Sequence, residues 1–278
     1  MKNLTIYFPF YNQAKGLQLQ LDNFIKYPND ILDKLYIIIV DDGSQKEKAY
    51  DIVNKDKYLK KLKIKLLRIN VDIPWNQPEA NNFAFNETKT KYILRLDIDH
   101  FLTIKNIRQL LKVDIKGNHY YKFKRVYKNK IIYANPNIYL ISKSNIDKVK
   151  GYNEYFSGNY GDDIEFLPRL NKIVKSKIIN NIILNVNEFP TNNLSRDLRI
   201  NKAKLKEKNK PHLRNVHKNE YLYLINTFKS KINNKTKINN KPKINNKPKN
   251  KIKHISKFKK IRLIRKKIIK KNKRLFIL

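Results

Sequence analysis

Short apolar runs alternate with amphipathic stretches through the first hundred residues of this chain. Runs with the composition of buried strands cover residues 4–8, 35–40, 63–69 and 92–94. Stretches with helical periodicity cover residues 14–27 and about 79–87. Alternation of this kind is typical of a doubly wound α/β sheet, in which helices join parallel strands. Such a sheet binds ligands just beyond the carboxyl ends of its strands, so functional residues are expected there.

The second hundred residues predict further elements of the same unit. The runs 120–127 and 131–139 are expected to form an antiparallel hairpin, which makes the predicted sheet mixed. Helices are expected over residues 161–172 and 196–208, and the run 221–228 is expected to close the folded unit. The prediction is therefore a mixed α/β sheet flanked by helices.

The composition changes sharply after residue 228. Residues 229–278 carry 21 of the 62 Lys and Arg residues and no Asp or Glu. Residues 229–250 repeat a Lys- and Asn-rich unit with too few apolar side chains to offset the entropy of ordering, which predicts a disordered linker. Residues 251–278 place apolar side chains at a spacing of three among basic ones, which predicts an amphipathic helix. Binding to an anionic membrane, binding to nucleic acid and a solvated tail all remain open for this segment.

Composition also indicates a compartment. Cysteine is absent, so disulfide and thiolate metal sites are excluded, and a reducing cytoplasm is expected. No run approaches the roughly 18 apolar residues of a membrane span. We therefore expect a cytoplasmic protein, with peripheral contact to the inner face of a membrane through the tail.

Two carboxylates follow the strand at residues 92–94. Asp97 and Asp99 are separated by one residue, so an extended backbone points both to the same side. Two close carboxylates repel each other unless a cation lies between them, and hard oxygen ligands suit Mg²⁺ or Mn²⁺. The alternative is a solvated turn rich in Asp.

A second acidic group follows a glycine-rich loop. Residues 151–161 contain three glycines and four aromatic residues, and the helix that follows begins with Asp162 and Asp163. Acids in a first turn interact favourably with the helix dipole, so both are expected to stay ionised. Simple capping of the helix is the alternative, but capping leaves the glycines and aromatic residues before it unexplained.

Five motifs in a fixed order carry a resemblance to a known family. They are Pro-Phe-Tyr-Asn at 9–12, Val-Asp-Asp-Gly-Ser at 40–44, Ala-Asn-Asn-Phe-Ala at 80–84, Leu-Asp-Ile-Asp at 96–99, and the glycine-rich block at 151–169. Together they resemble a glycosyltransferase of the GT-A fold, most similar to family 2. The glycine-rich block is similar to the carboxyl-terminal region of galactosyltransferase-type, family 7-like enzymes. The resemblance covers about residues 3–200.

The resemblance implies a nucleotide-sugar site in residues 1–102 and an acceptor site in residues 103–228, which together form the catalytic domain. Asp99 would bind Mn²⁺ or Mg²⁺ together with Asp97. Asn81 stands where the family usually has Arg, which removes one expected contact to the donor. The residues implied in donor binding are Pro9, Tyr11, Asn12, Asp42, Asn82 and Asp97.

The resemblance also implies how the reaction would proceed. Asp163 would act as the general base and Asp162 would orient the acceptor. Related retaining enzymes carry Asn in place of Asp163, so the Asp favours inversion. The resemblance implies transfer of a sugar, from a UDP-linked donor, to a glycan, lipid-linked or protein hydroxyl, as in polysaccharide biosynthesis.

Three further side chains are candidates for the remaining metal ligand: His100, Asn187 and His212. For each histidine, an ordinary satisfied or solvent-facing side chain is the competing interpretation, and water can take the position instead. Trp75, the single Trp, is either a buried anchor or a residue that stacks on a sugar or covers the donor.

Two other functions compete with sugar transfer. A nucleotidyltransferase also joins an α/β sheet to paired metal-binding Asp residues, but it usually opens with a Gly-rich loop and a basic residue, whereas the first run here ends in Pro-Phe-Tyr-Asn at 9–12. A nucleic-acid-binding protein that acts through the basic tail is the other alternative. We regard nucleic acid as a less favoured partner than a nucleotide-sugar.

Overall fold

Ten strands form one mixed sheet in the part of the chain that the computed structural model describes, residues 3–73, 75–159, 161–187, 189 and 212–228. The strands are β1 Leu4–Phe10, β2 Leu35–Asp41, β3 Ile64–Ile69, β4 Tyr92–Arg95, β5 His100–Phe101, β6 His119–Tyr127, β7 Lys130–Ile132, β8 Tyr139–Ser142, β9 Lys175–Val186 and β10 Tyr221–Asn226. The predicted helix at 196–208, the linker at 229–250 and the tail at 251–278 lie outside the described residues.

Helices connect these strands. They are α1 Ala14–Phe24, α2 Asn29–Leu32, α3 Ala49–Val53, α4 Asp56–Leu59, α5 Gln77–Glu87, α6 Ile104–Leu110, α7 Lys143–Val149 and α8 Asp162–Asn171. Short 3₁₀ turns occur at Glu154–Phe156 and Lys218–Glu220. No helix in the described ranges combines the length and the apolar character needed to cross a membrane.

The sheet has a parallel half and a mixed half. The order is β10-β3-β2-β1-β4-β8-β6-β9-β5, and β7 pairs with β6. The first four parallel strands are adjacent, while β10 and β8 run antiparallel to β3 and β4 respectively. The predicted mixed α/β sheet flanked by helices is confirmed.

Apolar side chains fill both faces of this sheet. Ile6 and Phe8 of β1 belong to one buried cluster, and Tyr7 belongs to a second cluster on the other face. Strands covered on both sides need nearly continuous apolar sequence, which explains why the runs at 4–8 and 35–40 lack polar alternation. The two cores hold the strands rigidly, so the loops at their carboxyl ends have fixed starting points.

The predicted hairpin is only partly correct. β6 and β7 pair as expected, but β7 ends at Ile132, and the rest of the predicted strand does not continue it. Pro136 lacks the N–H group that a strand needs, and the side chain of Asn135 accepts a hydrogen bond from the Asn137 N–H at 2.8 Å. The chain therefore turns there, and the next strand, β8, lies between β4 and β6 and pairs antiparallel with both.

Candidate active site

Loops from three adjacent strands meet at one edge of the sheet. β2, β1 and β4 are parallel neighbours, so the residues that follow their carboxyl ends lie side by side. These residues are the ones at 11–12, 42–44 and 96–99. Three of the five sequence motifs are thus brought to one place.

Asp97, Asp99 and His100 form a cluster that could hold a metal ion. Each offers one ligand atom, and these atoms all lie within 4.8 Å of one another. The backbone N–H of Asn187 donates to the Asp99 carbonyl at 2.9 Å, so Asn187 lies next to the cluster. His212 does not: it is outside this cluster, and its ring hydrogen-bonds the Lys150 carbonyl. The structure therefore does not support His212 as a ligand.

Arg95 lies buried beneath the cluster, a contact that the motifs do not predict. Its guanidinium donates to Asp97 Oδ1 at 3.1 Å, to Asn81 Oδ1 at 2.9 Å and to Gln77 Oε1 at 2.8 Å. The Asn135 amide donates to the other Asp97 oxygen at 3.3 Å. Burial raises the pKa of Asp97, and the Arg95 charge opposes that rise. Arg95 thus favours the ionised, oriented form of this carboxylate.

The two acids after β2 have different surroundings. Asp41 accepts hydrogen bonds from the Ser44 and Ala49 N–H groups and from Arg68, so it holds the loop together. Asp42 accepts one bond, from the Asn76 N–H at 3.1 Å, and its other oxygen is buried without a partner among the described residues. Burial raises the pKa of Asp42. Asp42 is therefore placed to accept a hydrogen bond from a ligand.

The loop after β1 contributes an aromatic ring and a structural amide. Tyr11 is 38% exposed, and its hydroxyl donates to Asp72 at 3.2 Å. Asn12 has a positive φ of 45°, and its side-chain oxygen accepts the N–H groups of Lys46 and Glu47. Pro9 is a β1 residue in register with Val40, so it supports the loop from within the sheet. Tyr11 can meet a ligand, whereas the Asn12 oxygen is occupied in shaping the loop.

Asn82 is fully buried and its amide is committed to the protein. Its nitrogen donates to the Tyr152 carbonyl and to Glu154, both at 2.8 Å, and its oxygen accepts the Tyr152 N–H at 2.8 Å. The residue therefore anchors the start of the glycine-rich loop to α5, and both N–H groups of its amide are used within the protein.

Gly151 lies against the side-chain amide of Asn82, so a larger residue at position 151 is expected to destabilise the protein. Its φ is +66°, and a Cβ atom there would lie 2.3 Å from the Asn82 oxygen. We expect Gly151→Ala to lower the free energy of unfolding by at least about 2 kcal/mol, measured by urea denaturation. Gly117→Ala is the matched control, because a Cβ at Gly117 meets nothing within 4 Å. Equal losses in the two variants would contradict the anchoring role.

The acids at the start of α8 also differ. Asp162 is 4% exposed, with one oxygen 3.5 Å from Trp75 Nε1 and the other without a partner among the described residues. Burial, with the adjacent Asp163 charge, raises the pKa of Asp162 to about 6, so the dipole of the helix does not keep this acid as strongly ionised as its position suggests. Asp163 is half-buried, and one of its oxygens accepts the Ile164 N–H at 2.9 Å.

Trp75 connects the loop before α5 to the glycine-rich loop. Besides its contact with Asp162, its carbonyl accepts the Gly158 N–H at 3.2 Å, and its φ is +59°. The residue is partly exposed. Trp75 therefore lies at the site, with one edge against an acid of α8, rather than deep in the core.

The raised pKa of Asp162 predicts a pH-dependent stability difference. A carboxyl group whose pKa rises on folding from 3.8 to about 6 destabilises the folded state progressively as the pH rises through this range, and fully above about pH 6. We expect the free energy of unfolding of Asp162→Asn at pH 8 to exceed that of the wild type by up to about 3 kcal/mol. The difference should shrink towards pH 4, where the wild-type group is protonated. Urea denaturation at both pH values is the measurement, and a difference independent of pH would contradict the raised pKa.

A family model for glycosyl transferase family 2 matches residues 5–179. Among curated proteins, none matches this chain at a significant level. S. aureus TarS 1–349 is similar in structure, with 14% sequence identity and a TM-score of 0.55 over 67% of this chain and 60% of that one.

Two further solved structures hold ligands. S. aureus TarS 1–349 in complex with UDP-GlcNAc gives 12% identity and a TM-score of 0.56, over 70% of this chain and 61% of that one. The mannosyltransferase PcManGT from Pyrobaculum calidifontis, in complex with GDP-Man and Mn²⁺, gives 13% identity and a TM-score of 0.52, over 66% and 56%. The chain thus spans between 56% and 61% of the length of these structures, and at such identities the likeness concerns the fold.

Proposed function

The chain belongs to glycosyl transferase family 2, and from this membership we propose that it transfers a sugar from a nucleotide-sugar donor to a hydroxyl acceptor. The predicted GT-A fold is confirmed by the family match and by the similar structures. The observation that carries the proposal is the cluster of Asp97, Asp99 and His100 at the strand edge that also presents Asp42. The residue proposed to bind the nucleotide, Asp42, thus lies at the same edge as the cluster that would bind the metal ion of its phosphates.

The donor would bind across the ends of β1, β2 and β4. Asp42 has a buried oxygen available for an N–H or O–H donor of the base or ribose, and the Tyr11 ring is exposed enough to contact the base. Of the similar structures, TarS 1–349 holds UDP-GlcNAc and PcManGT holds GDP-Man. We propose a UDP-linked donor for this chain, and a GDP-linked donor is the alternative to test. Asn12 and Asn82 would act indirectly, by shaping the two loops beside the nucleotide.

The donor atoms of the cluster fit Mn²⁺ or Mg²⁺. Asp97 and Asp99 supply the carboxylate oxygens that both ions prefer, and the ring of His100 lies against Asp99. When bound, such an ion would neutralise charge on the diphosphate of the donor. The protein contributes the fixed geometry, since Arg95 and the Asn135 amide each hold one oxygen of Asp97.

The acids of α8 would serve the acceptor. The attacking hydroxyl must lose its proton, and we assign Asp163 as the carboxylate that accepts it. The oxygen of the acceptor forms the new bond to the anomeric carbon while the bond from that carbon to the diphosphate breaks. A single displacement without an enzyme nucleophile gives inversion. Asp162 and Trp75, which contact each other, would orient the acceptor. The block that contains these acids is, by our proposal, family 7-like.

A thermal-shift screen tests the proposed function. The protein is heated with UDP-glucose, UDP-galactose, UDP-GlcNAc or GDP-mannose, each with MnCl₂ and with excess chelator. A ligand that binds the folded state raises the midpoint of unfolding, so at least one donor should raise it, and only with the ion present. If no donor shifts the midpoint under either condition, the proposal is wrong.

We further propose that residues 251–278 dock the enzyme on an anionic membrane, where a lipid-linked or surface acceptor is available. Each Lys or Arg near such a surface contributes up to about 1 kcal/mol. We expect the full-length protein to sediment with phosphatidylglycerol vesicles at about 0.15 M salt, and a variant that ends at residue 228 to stay in solution. If the full-length protein also stays in solution, the membrane proposal is wrong. The tail is then a solvated segment or a nucleic-acid contact.

A further inference from the structure

Arg125 lies beside the metal-binding cluster but belongs to a different part of the sheet. It is on β6, which β8 separates from β4. Its Nη1 atom lies 3.2 Å from His100 Nε2, and its Nε donates to the Tyr133 carbonyl at 2.7 Å. Among the described residues, no acceptor binds its Nη2. The guanidinium is therefore held on one side and has donors to spare on the other.

The hydrogen-bond partners fix the state of the imidazole between them. An arginine can only donate, so His100 Nε2 must accept its hydrogen bond. The proton of the neutral ring is then on Nδ1, which donates to Asp99 Oδ1. Both nitrogens of His100 are engaged, and the ring links Asp99 to Arg125. In this arrangement His100 orients its two neighbours rather than binding a metal ion directly.

The charges at the site favour a second cation. The buried Arg95 offsets the charge of Asp97, and a divalent ion would offset Asp99 and only part of a diphosphate. A nucleotide-sugar carries two negative charges on its diphosphate, and the departing nucleoside diphosphate gains a third as the bond to the sugar breaks and leaves its electron pair on the phosphate oxygen. The described helix α5 supplies no cation, because residues 77–87 include no Lys or Arg. The guanidinium of Arg95, on β4, is already engaged by Asp97, Asn81 and Gln77.

We propose that Arg125 binds the diphosphate of the donor, with His100 as the residue that positions it, and so offsets the charge that develops on the leaving group. The inference rests on the proposed function. Hydrogen bonds from a guanidinium to phosphate are among the stronger ones in proteins, and fixed cations aimed at developing charge stabilise the transition state. Arg125 would act on the terminal phosphate, beyond the part of the nucleotide that Asp42 and Tyr11 contact.

Calorimetry with a diphosphate and a monophosphate tests this assignment. Wild type is first titrated with UDP and with GDP in MnCl₂, and the tighter nucleotide is then compared with its monophosphate. Arg125→Met should raise the Kd for the diphosphate by about 10–100-fold and change that for the monophosphate by less than about 3-fold. Arg125→Lys, which keeps the charge but not the fork of donors, should lose less.

Lys124→Met is the matched control, because it removes the same charge from the adjacent position of β6, and thermal denaturation shows whether each variant is folded. Unchanged diphosphate affinity in folded Arg125→Met would overturn the inference, and so would an equal loss for diphosphate and monophosphate. If wild type binds neither UDP nor GDP, the proposed function itself fails. If wild type binds but the Arg125 variants behave like Lys124→Met, only the inference fails.

Discussion

Replacing Asp163 with Asn is expected to lower the rate of sugar transfer by about 10²–10⁴-fold while nucleotide binding stays unchanged. The amide keeps the size of the carboxylate and can still accept the Ile164 N–H bond, but it cannot take a proton from the acceptor hydroxyl. The measurement is release of the nucleoside diphosphate with and without acceptor, together with the Kd of the donor nucleotide. The loss should appear in kcat and not in the Kd.

A matched acid elsewhere controls for the loss of charge. Asp56 occupies the first turn of α4, as Asp163 does in α8, and is exposed and paired with Lys60. Asp56→Asn should transfer sugar at the wild-type rate. Should Asp163→Asn do so as well, the base lies elsewhere in the protein and the assignment of the glycine-rich block is wrong.

The second large effect is expected at the metal-binding cluster. Asp99→Asn removes a charged oxygen ligand and weakens the bond that His100 Nδ1 donates. We expect the Kd of UDP in MnCl₂ to rise at least about tenfold, to the value that wild type shows in excess chelator. Titration calorimetry under both conditions is the measurement.

Asp30→Asn, an exposed acid paired with Arg108, is the control and should retain the dependence on the ion. Equal UDP affinity of the wild type with Mn²⁺ and with chelator would show that these carboxylates do not bind the nucleotide through a metal ion.

The sequence predicted the parallel half of the fold well because each of its strands is covered on both faces. Such strands are continuous apolar runs, as at residues 4–8 and 35–40, and are easy to locate. β9 was missed for the opposite reason. Most of its residues are at least partly exposed, and Asn180 and Asn181 interrupt its apolar pattern. Its pairing with β6 depends on long-range contacts that no local pattern reveals.

Motifs located the site but not the direction of its side chains. The positions of Asp42, Asp97 and Asp99 follow from where strands end, so their meeting at one edge could be predicted. Asn82 lies in a motif too, yet its amide faces Tyr152 and Glu154, because a buried amide must satisfy both its donor and its acceptor.

The two arginines near the cluster were missed altogether. Arg95 ends the apolar strand β4, where a buried cation is rare, and its hydrogen bonds to Asp97, Asn81 and Gln77 explain it. Arg125 is distant from the cluster in sequence. It lies beside His100 only because of the order in which the strands pair in the sheet. A basic residue within an apolar strand that ends in acids is the signal that could have indicated Arg95.

A crystal of the protein grown with MnCl₂ and UDP tests most directly whether the strand edge is a metal-dependent nucleotide site. Anomalous scattering from manganese locates the ion independently of the protein coordinates. We predict one strong peak within about 2.0–2.6 Å of carboxylate oxygens of Asp97 and Asp99, with the diphosphate on its other side and the base near Tyr11 and Asp42. A peak at any other group of residues, or UDP bound away from the ends of β1 and β2, would contradict the proposed active site.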